Sequence, residues 1–334
     1  MKSAAKPFAK PAAITAPKPF ALKPTALKAS ALKPVVVKSG VLIFVWLLSF
    51  ATATDYPYTV TDDLGFEVTL TAEPERVVAM IPSHTETLCA INACDKLVGV
   101  DEYSNFPERA NELPKLGSAF SPNLEAIVAL KPDLVLTDES SDLAQALRRV
   151  GVPVYAGTAQ TFDEVFDKFE VLGALVDRET EAALLSGRVE GGVRAISERA
   201  GALEPTTVYY EIDATPYSVG PNSFIGALLS RAGGKNIVTE DLGDFPQLDP
   251  EYIVAADPAV IIVSERDADA LPGRSGWAGI TAVRNGRVIP TDATLDDAIS
   301  RPGPRLVEAV QFFARALHPE VFGIPETLPA PASR

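Results

Sequence analysis

Short apolar runs alternate with helical patterns along most of the chain, and this alternation predicts an α/β fold. Uninterrupted apolar runs are typical of strands that are buried on both faces of a parallel sheet. The predicted strands are residues 77–81, 97–100, 134–137, 152–155, 207–210 and 260–263. The predicted helices are residues 85–93, 123–130, 142–150, 223–232 and 304–317. The strand–helix order indicates layers of helices packed on parallel sheets.

The middle of the chain, residues 162–202, carries no strand pattern. Phe162, Val165, Phe166 and Phe169 follow the i, i+3, i+4, i+7 spacing of an amphipathic helix, and Leu172 extends that stripe. A second stretch, 179–198, is rich in Ala, Leu, Glu and Arg. A helix of about 20 residues is about 30 Å long, so this stretch is long enough to connect two lobes.

Two segments of the chain repeat the same pattern 126 residues apart. Residues 125–136 and 251–262 each predict a helix, a proline turn and a buried strand, with matching Glu, Ile, Val, Ala and Pro positions. The repeat indicates two similar lobes, or a chance similarity of two ordinary helix–turn–strand units. Glu125 and Glu251 occupy equivalent positions near the two helix starts, where an acidic residue favours the helix dipole. They are also a matched pair of carboxylates that a two-part partner with basic pockets could bind.

The first 40 residues differ in composition from the rest. They contribute +8 from lysines alone to a total formal charge of −14, so the remainder carries −22. An apolar run over 41–50 follows and ends at Ala51-Thr52-Ala53, which is typical of a secretory signal peptide with cleavage near Thr54. The alternative is an uncleaved membrane anchor. We therefore expect an exported protein of the periplasm or cell-envelope space.

Composition excludes several classes of function. The acidic balance argues against a nucleic-acid partner. Two cysteines and two histidines rule out a cysteine-rich metal site or iron–sulfur cluster, and we expect no metal and no cofactor. No phosphate loop, dinucleotide fingerprint or nucleophile elbow is present.

Ser83 to Glu86 follow a strand and open a predicted helix, and their spacing fits a capping box. His84 has a capping or surface role, contacts a ligand, or acts as the base of an exported hydrolase. Cys89 and Cys94 either form a disulfide, which requires the helix to end near Asn92, or remain two buried thiols. Aromatic residues in loops beyond the strands favour a cleft for a flat, apolar ligand, although each could instead pack on a nearby helix.

Taken together, these segments resemble the periplasmic binding proteins for iron complexes and vitamin B12. The resemblance covers residues 75–317 and rests on Arg76-Val77-Val78, Pro82-Ser83-His84-Thr85-Glu86, Gly99-Val100, Tyr103-Ser104-Asn105-Phe106-Pro107, 123–135, Gly220-Pro221-Asn222-Ser223-Phe224, Ala232-Gly233-Gly234-Lys235-Asn236 and Pro250-Glu251. It implies an α/β fold of two Rossmann-like lobes, each a parallel sheet flanked by helices, joined by one long backbone helix. The implied boundaries are a leader and signal peptide (1–53), an N-terminal lobe (54–160), a helical linker (161–203), a C-terminal lobe (204–322) and a disordered tail (323–334).

The resemblance also implies a function. A monomeric solute-binding protein would hold its ligand between the lobes and deliver it to the permease dimer of an ABC importer, with Glu125 and Glu251 docking on arginine pockets. The chain looks most like the vitamin B12 binders, so the expected ligand is cobalamin or a related corrinoid; the alternatives are a ferric siderophore or haem. The expected ligand-binding residues are Ser83, His84, Tyr103, Phe106, Phe120, Asp138, Glu211, Tyr217, Phe245 and Arg301.

Overall fold

The computed structural model describes residues 54–140 and 142–325. The predicted leader, 1–53, and residues 326–334 of the predicted tail lie outside the described residues. The strands are β1 (Tyr58–Thr61), β2 (Glu67–Leu70), β3 (Val77–Ala79), β4 (Leu97–Val100), β5 (Leu134–Thr137), β6 (Val154–Ala156), β7 (Thr206–Asp213), β8 (Tyr217–Ser218), β9 (Gly234–Asn236), β10 (Val260–Ser264) and β11 (Val288–Thr291). The helices are α1 (Pro82–Ala90), α2 (Leu124–Ala129), α3 (Leu143–Arg149), α4 (Glu164–Leu175), α5 (Glu179–Ala200), α6 (Phe224–Arg231), α7 (Pro250–Ala256), α8 (Glu265–Ala268), α9 (Thr281–Arg284), α10 (Ala293–Ser300), α11 (Leu306–Leu317) and α12 (Pro319–Phe322).

Two sheets with helices on their faces confirm the predicted α/β class. The first sheet has the order β4-β3-β5-β6 with all strands parallel. The second has the order β11-β10-β7-β8, with β9 also pairing with β7. This second sheet is mixed, because β8 pairs antiparallel with the end of β7 after a tight turn. A short antiparallel hairpin of β1 and β2, which the apolar pattern did not predict, precedes the first lobe.

Helix α5 is the long helix that the composition of the middle segment predicted, and it has 22 residues. Its buried stripe has the helical spacing of three and four residues: Ala182, Leu185, Val189, Val193, Ile196 and Ala200. Apart from Ala200, this stripe belongs to one apolar core that also contains residues of β3, β7, α4 and α11. A Cβ on Gly192 would lie 2.8 Å from a Val307 methyl group, so glycine permits α11 to approach α5 closely. Both lobes are thus built onto the buried stripe of one helix.

The repeated segments adopt the same local structure. Asn123 caps α2 by accepting a hydrogen bond from the backbone N–H of Ala126, and Asp249, at the equivalent position, caps α7 by accepting one from the N–H of Glu251. Each helix is followed by a residue with positive φ, Lys131 at 50° and Asp257 at 44°, directly before a buried proline. Since a helix that connects parallel strands runs antiparallel to them, the first turns of α2 and α7 lie at the carboxyl edges of the two sheets.

Candidate functional site

The loops at the carboxyl edges of the two sheets meet, and their contacts define the candidate site. In open α/β sheets ligands bind at this edge. Asn105, in the loop after β4, donates a 2.8 Å hydrogen bond to Asp297 on α10 of the other lobe. A Cβ on Gly303 would lie 3.7 Å from Ser83, so the loop between α10 and α11 also covers the start of α1. The lobes therefore touch at one side of the cleft in addition to sharing α5.

The predicted capping box at the start of α1 does not form. The helix begins at Pro82, because proline lacks an N–H and its fixed φ suits the first helical position. Ser83 consequently lies inside the first turn, buried, and Ile81 is the cap without a side-chain hydrogen bond. The Glu86 side chain makes no capping hydrogen bond and is available for other partners.

Glu86 binds two arginines of the opposite lobe. Its carboxylate accepts two 2.9 Å hydrogen bonds from Arg305, one from Nε and one from Nη2, and a third of 2.8 Å from Arg301 Nη1. The Glu86 side chain is 2% exposed and that of Arg305 4%. A buried carboxylate with one guanidinium in fork geometry and a second beside it forms a strong, directional contact between the lobes.

Arg301, which the resemblance placed against the ligand, is committed to protein groups. It donates to Glu86, to the Asn105 side chain at 2.8 Å and to the Tyr103 carbonyl at 3.0 Å. A further ion pair joins it to Asp297 at 2.7 Å. With all of these acceptors around it, Arg301 holds the loop that carries Tyr103 and offers little charge to a ligand.

The Tyr103 loop is also anchored by residues of its own lobe. Asp101 is buried and accepts hydrogen bonds from the Tyr103 N–H and the Ser104 hydroxyl. Burial raises the pKa of Asp101, and these hydrogen bonds oppose the rise. Ser104 also bonds to Thr85 of α1 at 2.8 Å. The loop is therefore preformed without a ligand.

His84 lies in the interior rather than on the cleft surface. It is 2% exposed, and neither ring nitrogen has a hydrogen-bond partner among the described residues. Burial, reinforced by the Lys168 ammonium and opposed by the Gly157 backbone, lowers the pKa of His84 to about 3. The neutral ring has no accessible surface with which to contact a ligand or a substrate in this structure.

A pocket of about 390 Å³ opens at the carboxyl edge of the C-terminal lobe. It is lined by Tyr210, Glu211, Ile212, Phe224, Ile225, Phe245, Ser264, Arg266, Asp296 and Ser300. Burial raises the pKa of Asp296, and a hydrogen bond from Thr291 opposes this effect. The lining is thus mainly apolar with a few polar groups, which is typical of small-molecule sites.

Glu211 borders this pocket, but its charge is already neutralised. Its buried carboxylate accepts two hydrogen bonds from Arg274, at 2.6 and 2.8 Å, and one from the Tyr209 hydroxyl at 2.9 Å. The Arg274 guanidinium in turn lies 4.6 Å from the centre of the Trp277 ring. Glu211 therefore fixes the pocket wall and presents no free anion.

The predicted aromatic residues lie around the carboxyl edges, Tyr217 in β8 and the other four in loops. The exposed fractions are 61% for Tyr103, 43% for Phe106, 87% for Phe120, 41% for Tyr217 and 63% for Phe245. Tyr103, Phe120 and Phe245 are thus mostly exposed, whereas Phe106 and Tyr217 are more than half covered by protein. Phe106 additionally lies under Arg305, whose guanidinium carbon is 4.6 Å from the ring centre.

Asp138 and the two cysteines were also predicted. Asp138 accepts hydrogen bonds from the backbone N–H and hydroxyl of Ser140, so it shapes its own loop. Cys89 and Cys94 are joined by a disulfide, which is possible because α1 ends at Ala90.

Glu125 and Glu251 stand exposed in the first turns of α2 and α7. Glu251 also lies on the rim of a depression of about 520 Å³, formed with Val254 and Gly276 among others. Both glutamates are thus accessible at the carboxyl edge of their own lobe.

Several residues of the site were not predicted. Arg305, Asn105 and Asp297 complete the contact between the lobes, and Arg274 neutralises Glu211. The one available signal was the run Arg301-Pro302-Gly303-Pro304-Arg305, where two arginines flank a rigid loop.

The described part of the chain shows neither a metal-binding cluster nor a helix suited to crossing a membrane. No group of three or more His, Cys, Asp or Glu residues is placed to hold a metal ion there. Within residues 54–140 and 142–325, no helix combines the length and apolarity required to cross a membrane.

Comparisons with known proteins agree with this architecture. A model of the periplasmic binding protein family matches residues 77–295. The ABC transporter substrate-binding lipoprotein YvrC of Bacillus subtilis is 32% identical over 279 residues, which cover 80% of this chain and 87% of that protein. A cobalamin-binding protein of Halobacterium salinarum is 32% identical over 282 residues, 80% of this chain and 75% of that protein. The solved structure of the periplasmic heme-binding protein RhuT from Roseiflexus is 27% identical with a TM-score of 0.66, covering 73% of this chain and 98% of that one.

The two lobes on one long helix, the meeting of their carboxyl-edge loops and these matches lead to one conclusion. The chain belongs to the periplasmic binding protein family.

Proposed function

We propose that this protein is the exported solute-binding component of an ABC importer and that its ligand is cobalamin or a related corrinoid. It binds the ligand between the lobes, delivers it to a membrane permease and catalyses no reaction. The relatives that are ABC transporter substrate-binding and cobalamin-binding proteins support both parts of the proposal.

The aromatic rim is the observation that carries the choice of ligand class. Tyr103, Phe120 and Phe245 are 61, 87 and 63% exposed on preformed loops, which costs solvation unless a large apolar surface covers them. Aromatic faces contribute large contact areas with few rotatable bonds, so they suit a rigid macrocycle.

Charge separates a corrinoid from the alternatives. An anionic ferric siderophore complex, such as a ferric catecholate, and the propionates of haem call for free arginines. Arg301 and Arg305 are instead paired with Glu86, and Arg274 is paired with Glu211. Arg266 has the carboxylates of Asp213 and Asp296 as neighbours. The cleft therefore favours a neutral or cationic ligand with amide side chains, which a corrinoid provides.

Haem would also need an axial ligand to its iron. His84 is buried and neutral, and Tyr103 is the more exposed of the two predicted tyrosines (61% against 41% for Tyr217), so its phenol is the candidate. If the ligand is haem, the Tyr103 hydroxyl is therefore expected to coordinate its iron.

Export and docking complete the proposal. The leader ends in a signal-peptidase pattern at Ala51-Thr52-Ala53, so the mature chain begins near Thr54. Glu125 and Glu251, exposed and equivalent in the two lobes, bind basic pockets on a permease dimer. The mature protein is a monomer in this proposal.

Calorimetry with cyanocobalamin, cobinamide, haemin and a ferric hydroxamate tests the ligand. We expect binding of the two corrinoids at submicromolar Kd and no binding of the other two. If the protein binds haemin and Tyr103→Phe abolishes that binding, the ligand is haem and not a corrinoid. Binding of the ferric hydroxamate alone would assign the protein to siderophore transport.

A further inference from the structure

Thr54, the first described residue, is held by two carboxylates. Its backbone nitrogen lies 2.6 Å from Asp177 Oδ1. Its hydroxyl donates to Glu179 Oε1 and is also 3.1 Å from the Ala174 carbonyl. These partners all belong to the junction between α4 and α5, more than 100 residues away along the chain.

The same residue follows the predicted cleavage pattern directly. A signal peptidase that cuts after Ala53 converts the Thr54 amide into an α-ammonium group. An amide needs one acceptor, whereas an ammonium has three N–H donors and a full positive charge.

The surroundings carry more negative than positive charge. The charged groups packed here are Asp177, Arg178 and Glu179 of the α4–α5 junction, Glu73 of the loop after β2, and Lys96. Three carboxylates thus face two cations, and both cations share Glu73. Asp55, next to Thr54 in the chain, is exposed.

Tyr56 lies among the same charges. Its hydroxyl is buried and has no hydrogen-bond partner among the described residues. Burial, followed by the charges of Asp177, Glu73 and Glu179 and opposed by Arg178, raises the pKa of Tyr56 to about 12. An ammonium group at Thr54, two residues before Tyr56, lies near the same carboxylates.

We propose that Asp177 and Glu179 form a receptor site for the α-ammonium group that signal-peptide cleavage creates at Thr54. The ammonium replaces a neutral amide donor by a cation, so the hydrogen bond to the Asp177 carboxylate becomes an ion pair that fixes the mature N-terminus to the start of the backbone helix α5. The positive end of the α5 dipole opposes a cation at this position, so the two carboxylates are required. This inference rests on the export part of the proposed function and is independent of the ligand.

The experiment uses the full chain expressed in an exporting host, with the released protein identified by intact mass. The mature protein is produced with ¹³C and ¹⁵N labels, and its unmodified α-amino group is titrated by NMR through the Cα and Cβ shifts of Thr54. We expect a chain that begins at Thr54 and an α-amino pKa at least about one unit above the ordinary range of about 7.7–8.0.

Asp177→Asn should return that pKa toward its ordinary range, and it should fold, because asparagine tolerates the positive φ of 57° at this position. Asp167→Asn, the same change at an exposed site on α4, should leave the pKa unchanged. A mature chain that begins elsewhere, or an α-amino pKa that Asp177→Asn does not lower, overturns the inference. Cyanocobalamin binding by the same preparation is measured in parallel, so failure of the ligand proposal is seen separately.

Discussion

Glu86 and Arg305 lie 219 residues apart and are joined by two 2.9 Å hydrogen bonds between buried side chains. One comes from the first lobe and the other from the loop that enters α11 of the second. Because the pair is buried and geometrically matched, the relative position of the lobes depends on it as well as on α5. The resulting cleft is preformed, with Tyr103 held through Arg301.

Removal of the Glu86 charge is therefore expected to destabilise the protein strongly. Glu86→Gln leaves Arg301 and Arg305 buried without their carboxylate, which costs about 3–5 kcal/mol for a buried pair that loses one partner. Urea unfolding at neutral pH measures the loss. Glu198→Gln, in an exposed pair with Arg194 at 4.0 Å, is the control and should change stability by less than about 0.5 kcal/mol. Equal effects of the two variants would show that the contact between the lobes is unimportant.

The exposed aromatic residues are expected to contribute directly to ligand affinity. Phe245→Ala removes a ring that lines the pocket and is 63% exposed, so we expect cyanocobalamin affinity to fall about tenfold or more with little change in stability. Phe66→Ala, a ring 53% exposed beside β2 and outside this pocket, is the matched control. Calorimetry should separate them; a Phe245→Ala protein with unchanged Kd would remove this ring from the site.

Docking to the permease should require both glutamates together. Glu125→Ala with Glu251→Ala is expected to abolish uptake of radiolabelled cobalamin in cells while ligand binding by the purified protein stays intact. Neither glutamate lines the 390 Å³ pocket, which is why the two readouts separate. Glu190→Ala, an exposed glutamate on α5, should leave uptake unchanged. Normal uptake by the double variant would remove these residues from the interface.

His84 is expected to make the fold sensitive to acid. Its pKa is about 3 in the folded protein and about 6.5 when unfolded, so the unfolded state binds the proton first as the pH falls. Its contribution to stability is complete above pH 6.5 and is lost progressively below it. The loss amounts to about 2–3 kcal/mol by pH 4.5.

His84→Gln removes the titrating group, so this variant should lose less stability than the wild type between pH 7.5 and pH 4.5. Urea unfolding at the two pH values gives the comparison. Because it is a difference between pH values, a uniform packing cost of the substitution cancels. Identical losses in both proteins would mean that His84 is not the responsible group.

The sequence predicted correctly those elements that depend on a few neighbouring residues. The apolar runs at 97–100 and 134–137 became β4 and β5 with those bounds, and the helix expected over 179–198 became α5. The repeat at 126 residues reappeared in caps and positive-φ residues, because both depend on a few neighbouring side chains. The hairpin of β1 and β2 was missed because one of its faces is exposed and its apolar pattern is weak.

Side-chain roles depended on partners that no local pattern reveals. Ser83 and Glu86 have the spacing of a capping box, yet Pro82 moves the helix start and two distant arginines bind Glu86. Arg301 has the right position for a cleft residue, but its hydrogen bonds are used within the protein. A buried charged side chain pairs with the opposite charge that the fold places beside it. Here the partners lie about 200 residues apart along the chain, so no local pattern identifies them.

The sequence by itself determined the α/β class, the repeat that indicates two related lobes and the long connecting helix, because apolar periodicity and composition encode each of them. It left open whether the loop aromatic residues are exposed or packed on helices. Only the tertiary structure decided that Glu86 is a contact between the lobes, that His84 is interior and that Asp177 receives Thr54. The physical reason is that burial and charge pairing are properties of distant surfaces brought together, and they exist only once the chain has folded.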